Sequence, residues 1–151
     1  MKAKRIIVEI ICLLFIVLWV YAGLSKWTDP EFTEQLNKSP YLEGWSGLVS
    51  VALPIGELLM AILLIFPMTK LLGLYLSFFT MVLFTGYIYA MINFSHYTPC
   101  SCGGILSKMD WNTHLIFNLG FCILAVVGIL LWQKPYTRTK PRSINLQNVE
   151  A

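Results

Sequence analysis

Charged residues are scarce in this chain. Asp, Glu, Lys and Arg together form 13% of its 151 residues, while 57% are hydrophobic. A soluble domain of this size cannot bury that much apolar surface, so the bilayer is the natural solvent. Histidine occurs only twice, which leaves few side chains able to carry a proton near neutral pH. There is no internal repeat, no low-complexity tract and no soluble nucleotide-binding motif. Solenoids and soluble nucleotide enzymes are thereby set aside.

What is present is a set of four apolar runs, roughly Ile6–Ala22, Leu48–Phe66, Leu71–Phe94 and Leu115–Trp132. Each is long enough to cross about 30 Å of hydrocarbon at about 1.5 Å per residue. The first follows Lys2, Lys4 and Arg5, as a signal peptide would, but it is too long for a typical signal core. No small-x-small cleavage site follows it, so it reads as a retained span. The expected architecture is an all-α, polytopic four-transmembrane-helix bundle. It divides into a membrane domain over residues 1–134 and a flexible basic tail over residues 135–151.

The few charges orient the bundle. With the N-terminus in the cytoplasm, Lys2, Lys4, Arg5, Lys70, Lys134, Arg138, Lys140 and Arg142 are inside, and only Lys26, Lys38 and Lys108 are outside. That asymmetry follows the positive-inside rule and puts both termini in the cytoplasm of a bacterial inner membrane. The tail, with Pro135 and Pro141 beside the last span, suits a topological anchor near anionic lipid rather than a nucleic-acid site.

Two external loops follow. Gly23–Gly47 carries interfacial aromatics (Trp27, Tyr41 and Trp45), and Pro30–Asn37 has the start signals of a short surface helix. Ser95–Asn112 ends on Asp110, a suitable N-cap for the fourth span. The turn Pro67-Met68-Thr69-Lys70 is short, so the spans it joins should form an antiparallel hairpin. Gly73, Ser77, Gly120 and Gly128 are small residues at which helices can approach closely.

The second loop holds Pro99-Cys100-Ser101-Cys102-Gly103-Gly104. Thiols this close share chemistry: a static disulfide, a metal held with a histidine or Met109, or thiol exchange with a partner. Closing the ring requires Cα atoms within about 6.8 Å. Such a small ring is strained and easily reduced, and Pro99 and the glycines permit the tight turn. A staple across one residue constrains the unfolded chain very little, which favours exchange over a static role. His114, in the first turn of the fourth span with Asn118 on the same face, and His96 bracket the loop; Asp110 and His114 are candidate modulators.

Within the spans, Glu57 lies three residues after Pro54, at a depth where a carboxylate must face the bundle interior. Lys26, just beyond the first span, is its candidate partner. Glu9 is expected to snorkel to the cytoplasmic surface. Cys12 and Cys122 read either as small apolar residues or as an embedded second pair relaying electrons.

Three segments together resemble the MauE/DoxX-like family of redox-associated membrane proteins. They are Tyr21-Ala22-Gly23-Leu24-Ser25-Lys26 followed by Asp29-Pro30, Leu53-Pro54-Ile55-Gly56-Glu57-Leu58-Leu59, and the Pro99–Gly104 stretch. The likeness runs from Arg5 to about Trp132. It implies a four-helix bundle in the cytoplasmic membrane that acts in methylamine utilisation. There it would help a thioredoxin-like partner form disulfides during maturation of methylamine dehydrogenase. The family's cysteines carry over to Cys100 and Cys102, and its Lys and Glu positions to Lys26 and Glu57. The chain is also similar, by functional analogy only, to quinone-linked disulfide-generating proteins, with a quinone as electron acceptor. The expected function is thiol–disulfide exchange through Cys100, Cys102 and His114, as an oxidoreductase or an accessory to one. The alternatives are a scaffold or small oxidase subunit with a structural disulfide, and a metal or small-solute carrier using Glu57 and the thiols.

Overall fold

The computed structural model describes residues 2–29, 32–38, 43–94 and 110–132. Its elements are α1 (Lys2–Thr28), α2 (Phe32–Asn37), a 3₁₀ turn (Glu43–Trp45), α3 (Ser46–Ile65), α4 (Lys70–Phe94) and α5 (Trp111–Leu131). No strand occurs among the described residues. Four helices, α1, α3, α4 and α5, are long and apolar enough to cross a membrane. They form a ring in which α1 packs on α3 and α5, and α4 packs on the same two. The protein is an all-α, four-span membrane bundle. The tail expected over 135–151 lies outside the described residues.

The spans match the apolar runs in number and order, and differ at their ends. α1 extends past Ala22 to Thr28, and α5 begins at Trp111 rather than Leu115. Both extensions are polar turns that cap a span, and a hydropathy reading cuts them off. Lys2, Lys4 and Arg5 sit at the positive end of the α1 dipole, where cations are unfavourable. Helix chemistry therefore does not account for them. Lys26 sits in the last turn of α1, the end that favours a cation. Asp110 caps α5 as expected, its Oδ2 accepting from the Asn112 N–H at 3.3 Å. The surface helix covers Phe32–Asn37, with Phe32 and Leu36 buried, and Asn37 bonds Ser46 at the start of α3.

At the opposite end, α3 and α4 form the expected hairpin. The Thr69 hydroxyl donates to the Leu63 carbonyl at 2.7 Å, and the Lys70 N–H to the Phe66 carbonyl at 3.0 Å. A Cβ on Gly73 would stand 2.9 Å from Leu64 Cδ2, so the tight hairpin depends on glycine there. Gly128 likewise lets α5 approach Ile11 and Leu74, but Gly120 faces open space and is no contact point. Large side chains such as Leu13, Val17, Leu59, Phe79, Ile116 and Ile123 point outward. Water would not tolerate that surface; acyl chains do.

Gly73→Leu is expected to lower the stability of the detergent-solubilised protein by about 1–3 kcal/mol through overpacking. Gly120→Ala, with nothing to strike, should leave it unchanged or slightly raised. Thermal unfolding followed by helical circular dichroism separates the two.

Candidate buried polar site

The Cα–Cβ bonds of a helix lean toward its N-terminus. In α1 this turns Lys26 back into the bundle, while in the antiparallel α3 it turns Glu57 toward the end that bears the two long loops. The two side chains meet, with Lys26 Nζ 2.7 Å from Glu57 Oε1. Glu57 is completely buried. The ammonium also donates to the Ala22 carbonyl at 3.4 Å and lies 5.9 Å from the centre of the Phe84 ring. The pairing expected from the sequence is formed, from inside α1 rather than from beyond it.

Gly23 and Pro54 explain how the two helices come close enough. Each lies three residues before its charged neighbour. A Cβ on Gly23 would stand 3.1 Å from Leu58 Cγ and 3.2 Å from the Pro54 carbonyl oxygen. The glycine thus brings α1 against α3 one turn from the ion pair. The family-like segments containing Gly23–Lys26 and Pro54–Glu57 are two halves of one contact.

α5 supplies the third wall. His114 and Asn118, one turn apart, are both buried, at 7% and 4% exposure. His114 is near enough to Lys26 for their charges to interact. Beside them Phe15, Trp19, Phe84, Phe117 and Phe121 form an aromatic cluster, with contacting ring centroids 4.8 to 6.3 Å apart. Within it Trp19 Nε1 donates to Ser77 Oγ at 2.9 Å, a bond from α1 to α4. Sequence reasoning missed this bond, counting Ser77 only as a small residue. The available signal was a hydroxyl in a span where every polar group needs a partner.

The remaining candidates stand apart from this cluster. Glu9, expected to reach the surface, is half exposed and also paired with Lys70, joining α1 to the start of α4. Cys12 and Cys122 are free thiols: Cys12 lies in the apolar core, and Cys122 Sγ is 3.8 Å from Thr85 Oγ1. Among the described residues no three His, Cys, Asp or Glu side chains come together as metal ligands. Cys100 and Cys102, with His96 and Met109, lie outside the described residues. Their segment is anchored on both sides, by the end of α4 at Phe94 and by the Asp110 cap four residues before His114.

The model of the family described as methylamine utilisation protein MauE matches residues 4–131. No curated protein and no solved structure gives a significant match.

Removing one member of a buried pair strands the other charge, typically at a cost of about 3–5 kcal/mol. The two removals should differ here. Glu57 is far from either helix end and cannot escape, whereas a stranded Lys26 can swing out to water from the last turn of α1. Lys26→Met is therefore expected to destabilise more than Glu57→Leu, and the double variant should recover most of the loss. Equal losses in the two single variants, read from unfolding in micelles, would contradict this asymmetry.

Proposed function

The chain belongs to the MauE family, and on that premise we propose that it takes part in thiol–disulfide exchange at the outer face of a bacterial cytoplasmic membrane. Cys100 and Cys102 are the exchanging pair, and a thioredoxin-like protein is the partner. Membership of the family over residues 4–131 carries the reading. The methylamine utilisation named in the family's description suggests the maturation of an extracytoplasmic client of that metabolism. Eight of the eleven basic residues fall on the side of the termini, which supports a cytoplasmic position for both ends and an external position for residues 95–109.

The exchange balances as follows. A partner thiolate attacks one sulfur of the Cys100–Cys102 disulfide, forming a mixed disulfide and releasing the other sulfur as a thiolate. The second partner thiolate then displaces the bound cysteine. The partner leaves as a disulfide and the chain holds two thiols, reduced by two electrons. Reoxidation returns those two electrons and two protons to an acceptor, for which a quinone is the proposed class. His114, four residues inside the Asp110 cap, is the side chain suited to pass a proton between the loop and the bundle.

A scaffold role is the second reading. In it the protein is a non-enzymatic membrane scaffold or small oxidase subunit, and the Cys100–Cys102 disulfide is structural.

Single Cys100→Ser and Cys102→Ser variants discriminate the two readings in intact cells. Exchange predicts that loss of the resolving cysteine traps a covalent complex with a thioredoxin-like protein. It also predicts that a membrane-impermeant thiol reagent labels the reduced pair from outside. Full function of both variants with no trapped partner would leave only the scaffold. Labelling seen only after lysis would invert the topology.

A further inference from the structure

Two buried polar atoms have no hydrogen-bond partner among the described residues, Glu57 Oε2 and Asn118 Nδ2. One accepts and the other donates. They belong to different walls of the polar site, α3 and α5, and do not bond each other. Buried polar groups in native proteins are rarely left unbonded, and an orphaned carboxylate oxygen is among the most costly. The helix registers put the two at one level of α1: Gly23 lies against Pro54 and Leu58, one residue from Glu57, while the contacts of Gly128 with Ile11 and of Phe121 with Phe15 put Asn118 opposite the turn at residues 18–21. A single water meets both demands, donating to the carboxylate and accepting from the amide. An internal water needs two to four polar partners, and Glu57, Asn118 and the Lys26 ammonium are three candidates.

We propose that Glu57, Asn118 and Lys26 hold one internal water molecule between α1, α3 and α5. Asn118 is then a positioning residue: acting through the water, it fixes the free oxygen of Glu57 and so the geometry of the ion pair. The water also extends the pair into a hydrogen-bonded chain toward the face of α5 that carries His114. The carboxylate in mid-bundle is thereby connected toward the loop-bearing end. Nothing in this site requires the thiols, so it stands or falls separately from the exchange reading.

Infrared difference spectra of the full-length protein in lipid nanodiscs, hydrated in H₂¹⁶O and then H₂¹⁸O, test the proposal. The wild-type protein should show an isotope-sensitive O–H stretch from a strongly bonded internal water. That band should be lost in Asn118→Leu and shifted in Glu57→Gln. The carboxylate stretch assigned to Glu57, by its disappearance in Glu57→Gln, should also shift in Asn118→Leu. A variant with both Cys100→Ser and Cys102→Ser should keep the band in place. No isotope-sensitive band in the wild type, or a band and carboxylate stretch unmoved by Asn118→Leu, overturns the proposal. If Asn118→Leu does not fold, Asn118→Ala removes the same donor without added bulk, and an unmoved carboxylate stretch there has the same force.

Discussion

A charge buried in hydrocarbon must be met by another group, because its lost hydration is not replaced by the surroundings. In this bundle that constraint falls on Glu57, completely buried and too far along α3 to reach either interface. Much of the upper half of the structure follows from meeting it. Lys26 turns back into the bundle. Gly23 gives up its side chain so that α1 can lie against Pro54 and Leu58. α5 presents His114 and Asn118 toward the same place. The close approach of α1 to α3 at Gly23 and the buried polar groups of the interior lie within one turn of each other.

The arrangement of polarity is inverted from end to end. Lys26–Glu57 closes α1 on α3 near the loops, and Glu9–Lys70 closes α1 on α4 near the termini. The middle holds aromatic and aliphatic packing, with the Trp19–Ser77 hydrogen bond and weaker contacts of Thr80 and Thr85 to the sulfurs of Met60 and Cys122. In a bilayer the apolar exteriors of helices gain little by meeting each other, so close packing and satisfied polar groups supply the association. A hydrogen bond between spans is worth about 0.6 kcal/mol on average. The Lys26–Glu57 pair and the close approaches at Gly23, Gly73 and Gly128 fix the register together with Trp19–Ser77.

The polar groups gathered at one end bear on the proposed exchange as well. The segment with Cys100 and Cys102 starts where α4 ends and stops at the Asp110 cap, so both of its anchors are at the end that holds the Lys26–Glu57 pair. Thiol chemistry moves protons as well as electrons. On the proposed exchange reading, the buried cation, carboxylate and histidine, at the end of the bundle to which that segment is joined, are groups able to hold and pass protons.

The sequence by itself determined the solvent, the number of spans, their order, the α3–α4 hairpin and the Asp110 cap. These follow from composition, run length and local turn chemistry, which act within a few residues. It also pointed to Lys26 with Glu57, because an isolated carboxylate in a span demands a counter-charge. Tertiary structure alone decided the rest. That Gly23 and not Gly120 is a contact, that Ser77 answers Trp19 from 58 residues away, and that Glu9 is held by Lys70 all depend on helix rotation. Four helices that are apolar on nearly every side carry almost no periodic signal for rotation, since lipid and protein neighbours look alike to them. Only the mutual fit of the packed side chains, and the few polar atoms that had to find partners, selected which faces turned inward.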